Sequence, residues 1–328
     1  MKSALKMILA AACASLLAVG SNIAAQPVNY PTKAIRLVTP FPPGGGTDAV
    51  ARIAADKLSV LLGQAVVVEN KAGAGGSLGT ELAARAAADG YTLVLGSSAT
   101  HAVNPSLYPE LSYDPVKDFA AVSTLATTPL LLMANASVPA KSVSELIDVS
   151  KTREAGKTMT YASAGVGSAQ HLGAELFKSM TKAPLLHVPY KGAGPAMVDL
   201  LAGHVDIAFD TMPSALAQIK SDKLKVLGIS SPERSNMLPD VPAIAETVPG
   251  YELVTWYGLF APAGTPPAVV DTLNAAVKRM LESEDVQAKF KTAGIEPYWS
   301  SPADFSTLVK NEIPKWRKVI EQSGAKIE

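Results

Sequence analysis

The sequence predicts an α/β protein of two doubly wound lobes, with the chain crossing between them twice. Three observations lead there. Strand-like and helix-like stretches alternate without hairpin signals, which asks for parallel strands joined by crossover helices. Glycine-rich turns stand at several strand-to-helix junctions. Two long extended runs, residues 122–137 and 251–267, interrupt the alternation and divide it into two sets.

The first residues, "MKSALKMILAAACASLLAVGSNIAAQ", have the form of a secretory signal. Lys2 and Lys6 give a basic start, residues 7–19 are apolar but short for a membrane span, and small residues close at Ala24 and Ala25. Cleavage is expected before Gln26, which makes residues 1–25 a signal peptide and the periplasm the destination. The single cysteine, Cys13, lies inside that signal, and Ala10 stands where a lipid-anchoring motif would carry Leu. The mature chain then has no disulfide, no thiolate nucleophile and no cysteine-ligated metal. Without the two leader lysines it carries 27 basic and 29 acidic residues, and so offers no basic field to nucleic acid. No later stretch is apolar for long enough to span a bilayer, so no membrane insertion is expected after cleavage.

The first set reads as strand "AIRLVTPF", helix "TDAVARIAADKLSVLLG" ending at Gly63, strand "AVVVEN", helix "GGSLGTELAARAAADG" closed by Gly90, and strand "YTLVLGSSA". After the first extended run, Ser142 and Glu145 have capping-box spacing at a helix start. Three strand–turn–helix units follow, "MTYASAGVGSAQHLGAELFKSM", "LLHVPYKGAGPAMVDLLAG" and "HVDIAFDTMPSALAQIKSDKL", then the strand "KVLGISS". Beyond the second extended run come helices over 268–282 and 302–321, the second interrupted by Pro314. Lobe 1 is expected over 26–125, completed by 248–328, and lobe 2 over 126–247. The cleft between them is a natural place for a small ligand.

The stretch "TPFPPGGGTDAVAR" places three consecutive glycines, Gly44, Gly45 and Gly46, between a strand and a helix. Gly44, Gly46 and Ala49 fit a loose dinucleotide fingerprint, and Glu69 ends the next strand about where a ribose-binding acid would sit. Against a nucleotide stand Pro42 and Pro43, which stiffen and lengthen the turn. Asp48 in the first helical turn would repel a pyrophosphate, and an exported protein meets little nicotinamide cofactor. The competing reading is a seat for a smaller anion. Gly165-Val166-Gly167-Ser168 repeats the strand–glycine–helix order, as does Gly192-Ala193-Gly194-Pro195, with Pro195 suited to the first helical position. Gly96-Ser97-Ser98 ends a third strand. Each turn alone is ordinary connection chemistry. Spread over both lobes, they can aim unpaired N–H groups at helix starts into one cleft.

No H-E-x-x-H and no paired metal-ligand spacing occurs, and no catalytic residue, metal or cofactor is expected. His187 sits in an apolar strand and reads as structural, while His204 sits in a turn and reads as solvated. His101 and His171 follow glycine turns, where donation to a ligand and a purely structural role weigh equally. Arg52 lies one helical turn after Asp48, its natural partner. Lys191, beside Tyr190 and Gly192, is a cation in a cleft turn or a solvated rim charge. Asp210 ends the strand "VDIAF" at the same end, unless it caps the helix after Thr211.

Several of these stretches, in order, resemble the Bug-type periplasmic receptors of tripartite tricarboxylate transporters: "YPTKAIRLVTPFPPGGGTDAVAR", "VVVENKAGAGGSLGTELAARAAADGYTLVLGSSATHAVNPSLY", "YASAGVGSAQHLGAELF", "HVPYKGAGPAMVDLLAGHVDIAFD" and "APAGTPP". The likeness runs over about 28–326. It implies a type II periplasmic-binding fold, no enzymatic activity, a small carboxylate ligand (a di- or tricarboxylate, an acidic amino acid or an aromatic carboxylate), integral membrane transporter subunits as partners, and a monomer. It also implies that Pro42, Gly44, Gly45, Gly46 and Thr47 seat one carboxylate, with Asp48 bracing the loop. Ser97, Ser98 and His101 line that side. Gly165, Val166, Gly167, Ser168, His171, Tyr190, Lys191, Gly192 and Asp210 close from the other lobe. Two contrasting readings are a sensor that presents its ligand to a signalling receptor, and an exported hydrolase using Ser98 or Ser168 with His101 or His171.

Overall fold

The computed structural model describes residues 29–153, 157–216 and 218–323; the expected signal peptide lies outside them. Strand β1 (Ile35–Thr39) leads into helix α1 (Gly46–Leu62), which stops where Gly63 takes the left-handed backbone at φ 68°. Strand β2 (Val66–Asn70), the short helix α2 (Ser77–Ala84) and strand β3 (Thr92–Ser97) complete the first alternation. A π-helical turn (Ala99–Val103) and helix α3 (Asn104–Leu107) follow. The first extended run is strand β4 (Phe119–Asn135). The second set is α4 (Val143–Thr152), β5 (Met159–Ser163), α5 (Ala169–Thr181), β6 (Leu185–Pro189), α6 (Ala193–Ala202), β7 (Ile207–Thr211), α7 (Met212–Ala215) and β8 (Leu224–Ile229). The second extended run contains strand β9 (Val254–Pro262), and α8 (Pro267–Leu281), α9 (Glu284–Thr292), β10 (Glu296–Pro297) and α10 (Pro302–Ser323) end the chain.

The strands form one sheet in the order β2-β1-β3-β9-β4-β7-β5-β6, with β8 and β10 also on β4. Strands β1, β2 and β3 pair in parallel, as do β5, β6 and β7, which is the crossover pattern expected. The extended runs make the sheet mixed, because β9 lies antiparallel between β3 and β4, and β4 is antiparallel to β7 and β8. Strand β4 serves both halves. From Phe119 to Pro129 it pairs with β9, and from Leu130 to Ala134 with β7. The second-half edge of β4 is covered by β8. Apolar side chains on alternate positions of β4 pack to both sheet faces: Leu130 and Leu132 join a cluster with Phe177, Phe209 and Tyr251, while Leu131 and Met133 join Ala208, Leu200 and Ile229.

Several local expectations are corrected. Helix α2 ends at Ala84, six residues before Gly90, which instead takes a positive-φ turn at 81°. Helix α6 starts at Ala193, so Pro195 is its third residue, still within the turn whose N–H groups lack intrahelical partners. Helix α9 was not expected. Pro314 does not interrupt α10. It lies on the exposed side, as does Lys310, whose carbonyl it leaves without the usual helical donor. The buried face formed by Val309, Trp316 and Ile320 holds the helix together across it, and the Trp316 indole donates to Glu312 at 2.8 Å. The capping box of α4 is present in part. Ser142 accepts from the Glu145 N–H at 3.2 Å, but the Glu145 carboxylate receives the N–H of Lys141, one residue earlier than the usual partner.

Candidate functional site: an uncapped helix start facing Thr211 and Tyr257

The loop from Pro40 to Gly45 carries the chain from β1 to α1. Its capping residue is Gly45, so no side chain caps the helix, and the Ala49 N–H makes the first bond back, to the Gly45 carbonyl at 3.0 Å. The N–H groups of Gly46, Thr47 and Asp48 therefore open the helix without intrahelical acceptors, at the positive end of a 17-residue helix.

The three glycines have three different reasons. Gly44 has φ 86°, a conformation costly for any residue with a Cβ. A Cβ on Gly46 would stand 2.6 Å from the Tyr257 hydroxyl and 3.7 Å from the Thr211 hydroxyl, so only glycine fits. Gly45 has φ −91° and ψ 174°, which any residue adopts, and a Cβ there meets nothing. The backbone makes no demand for glycine at 45, which leaves open space as its property.

Asp48 ties the loop to the start of α1. Its Oδ2 accepts from the Gly44 N–H at 3.1 Å and from Arg52 Nε at 2.9 Å, and its Oδ1 from Asn70 at 3.0 Å. These donors outweigh burial and hold its carboxyl below the usual range. Glu69, the acid a nucleotide would have needed, is occupied by Lys71 at 2.7 Å and Arg36 at 3.4 Å.

The facing wall is built by β7 and β9. Thr211 ends β7 and Tyr257 lies within β9, and the Gly46 contacts bring both hydroxyls to the start of α1. Tyr257 is buried, and that burial, with the charge of Asp210 nearby, pushes its phenol well up. Asp210 is 3 % exposed. It accepts from Ser214 Oγ at 2.7 Å, Gln170 Nε2 at 3.1 Å and the Thr211 N–H at 2.7 Å, and burial pushes its carboxyl up despite them. Ser97 and Ser98 are buried at the end of β3, on the first-half side.

The β5–α5 turn is shaped by positive φ at Gly165 (121°) and Gly167 (78°). Gly167 packs against Leu107 of α3, where a Cβ would collide. Ser168 caps α5 by accepting from the His171 N–H at 3.2 Å, and its hydroxyl donates to the Gly165 carbonyl at 2.7 Å. His171 Nδ1 receives the Gly167 N–H at 3.2 Å, and its ring stacks on His187 at 4.2 Å. Burial brings both rings down to about 4. His187 Nε2 meets Ser163 Oγ at 2.7 Å. His204 is exposed beside Asp199, as read from the sequence.

One expected lining side chain is placed elsewhere. His101 is fully buried, its ring stacked on Phe260 at 3.9 Å and its Nδ1 on the Thr100 hydroxyl at 2.9 Å. Burial lowers it to about 3, so it is a neutral core ring that cannot line a cleft. Gly96 is glycine because its Cβ would strike that ring at 2.5 Å. The Tyr190 hydroxyl donates to Asp199 at 2.6 Å, which draws it along α6. Lys191 is exposed. The hydrolase pairing does not form: His101 bonds Thr100, and the ring of His171 receives a main-chain N–H. Among the described residues no group of three metal-ligating side chains occurs, and no helix is long and apolar enough to cross a membrane.

Gly46, Thr211 and Tyr257 meet at the junction of both halves, and the comparisons bear on what such a junction serves. Residues 50–325 match the TctC family, described as tripartite tricarboxylate transporter family receptors. The chain belongs to that family. It is 40 % identical to Protein BugT of Bordetella pertussis over 301 residues, which covers 91 % of this chain and 92 % of BugT. Two solved Rhodopseudomonas palustris proteins share the fold. Rpa4515, solved with adipate, has a TM-score of 0.86 and 37 % identity, over 91 % of this chain and all 100 % of the other. MatC, solved with bound malate, has a TM-score of 0.80 and 36 % identity, over 89 % and 100 %. The chain is therefore a solute-binding receptor with the periplasmic-binding-protein fold, and the family's work is binding, not catalysis.

Sequence reading missed Thr211, Tyr257 and Gln170 as parts of this junction. The sequence marks Thr211 only as the residue ahead of a helix and does not single out Gln170. Tyr257 was hidden inside an apolar run, where nothing in the sequence says which face meets the glycine loop.

Proposed function

We propose that this receptor captures a small carboxylate-bearing solute between its two halves in the periplasm, as a monomer, and hands it to the integral membrane subunits of a tripartite transporter. The observation that carries the reading is the uncapped start of α1 set against the hydroxyls of Thr211 and Tyr257. A carboxylate there meets main-chain donors at the positive end of a helix, with no side-chain cation required. Gly44 to Thr47 form the seat, Asp48 fixes its shape, and Ser97 and Ser98 supply hydroxyls on the same side. Gly165 to Ser168 close from the second half, with His171 and Asp210 behind them and Gly192 at the rim. Adipate and malate in the two relatives support this class of ligand.

A thermal-shift screen of mono-, di- and tricarboxylates, acidic amino acids and aromatic acids tests it. At a thousandfold excess over Kd a ligand adds about 4 kcal/mol, which raises Tm by several degrees. A panel with no shift, after removal of any co-purified ligand, overturns the reading.

A further inference from the structure

Asp210 is a buried acid with no cation paired to it among the described residues. Burial and the three hydrogen bonds from Ser214, Gln170 and the Thr211 N–H are what act on it. The charged or titratable groups on the elements around it do not neutralise it. Tyr257 of β9 is a neutral phenol that feels the Asp210 charge. His171 of α5 is buried and neutral. On α1, Asp48 and Arg52 are paired with each other at 2.9 Å.

The position of Asp210 matters as much as its burial. It adjoins Thr211, whose hydroxyl lies 3.7 Å from the point where a Gly46 Cβ would be. Asp210 Oδ1 accepts the Thr211 N–H at 2.7 Å, so a carboxylate seated on the N–H groups of Gly46 and Thr47 would stand about one residue away from a second, buried carboxylate. Two carboxylates in one such site do not both stay ionised, because a like charge nearby favours the protonated form of one of them.

We propose that capture of a carboxylate is coupled to the uptake of one proton from solvent, held by Asp210 or shared between Asp210 and the ligand. This rests on the carboxylate reading of the site. The receptor would then bind an anion together with a proton, and its affinity would fall as pH rises through the transition. The titration belongs to the pair of groups rather than to one of them.

Calorimetry on the purified receptor, with adipate, malate and any acid found in the screen, tests this. Titrations in buffers of different ionisation enthalpy between pH 6 and 8 give the number of protons taken up. The expected result is uptake approaching one proton, with Kd weakening by up to about tenfold per pH unit through the transition. In Asp210→Asn, uptake should vanish and Kd should become flat with pH. Binding without uptake in the wild type overturns the proton coupling and leaves the receptor function standing, whereas absence of binding overturns the function itself. Uptake that persists in Asp210→Asn places the proton elsewhere and also overturns the proposal. If that variant lacks a cooperative melt, carboxyl-13C aspartate labelling of the wild type replaces it. One aspartate carboxyl or the ligand carboxyl must then move towards its protonated shift on binding, and no movement overturns the proposal.

Discussion

Ser230 and Leu130 are joined by a reciprocal pair of hydrogen bonds. The Leu130 N–H donates to Ser230 Oγ at 2.7 Å, and the Ser230 N–H donates to the Leu130 carbonyl at 2.8 Å. The same serine binds Leu253 through both its carbonyl and its hydroxyl, so one buried residue ties together the two places where the chain crosses between half-sheets. Ser230→Ala leaves the Leu130 N–H and Leu253 carbonyl without their side-chain partner. A loss of about 1–3 kcal/mol in urea unfolding is expected, with ligand affinity affected less than stability.

Gly46→Ala and Gly45→Val separate backbone fit from ligand space. The alanine Cβ at 46 presses on the Tyr257 hydroxyl at 2.6 Å, so binding should weaken at least tenfold. The valine at 45 keeps an ordinary backbone and meets no protein atom at Cβ, so its melt should remain cooperative while binding is lost. Lys191→Ala removes an exposed charge and should cost less than tenfold, since such charges contribute about 1 kcal/mol or less. Calorimetry on the set decides whether the glycine loop or a side-chain cation holds the anion.

Stability should fall on acidification below about pH 6.5. His101 is brought down to about 3, and His171 and His187 to about 4, from an ordinary 6.5. The unfolded chain therefore binds more protons than the native one across that window. The stability these rings contribute is complete above 6.5 and is lost as pH falls towards 4 and then 3. Each pKa unit corresponds to about 1.4 kcal/mol, and the fully buried His101 carries the largest share. Denaturant melts from pH 7 to 4 should show it, and His101→Gln should have a shallower slope. An equal slope in that variant would remove His101 from the account.

Ligand should close the two halves about the crossing segments. Small-angle scattering is expected to give a smaller radius of gyration with a bound carboxylate than without. Equal radii would mean that the cleft is already closed when empty.

The elements read most easily from sequence were those with their own punctuation. Helix α1 has its glycines before and Gly63 after, and β4 is a long apolar run, so both were legible. Helix α2 was read too long because Ala86 to Ala88 have high helix propensity, which local structure after Arg85 overrode. Pro314 was read as a break because its exposure on a helix with a buried opposite face cannot be seen in one dimension. The glycine turns of the site were legible for the same reason as α1. The fate of His101 was not, since the same spacing serves a ligand donor and a ring stacked on Phe260. Thr211 and Tyr257 become site residues only through their distance from Gly46, and that follows from how β7 and β9 flank β4.

Pairing of β4 passes from β9 to β7 between Pro129 and Leu130, and the chain returns towards β9 at Leu253. Everything between is one uninterrupted excursion whose two ends meet at a single serine. Topologically, residues 130–253 are an insert with adjacent ends, a cassette carried by the remainder of the chain. Exchange of that cassette between relatives disturbs two neighbouring splice points. The part of the junction that carries Thr211 and the β5–α5 turn can then be replaced while the glycine loop and Tyr257 are kept.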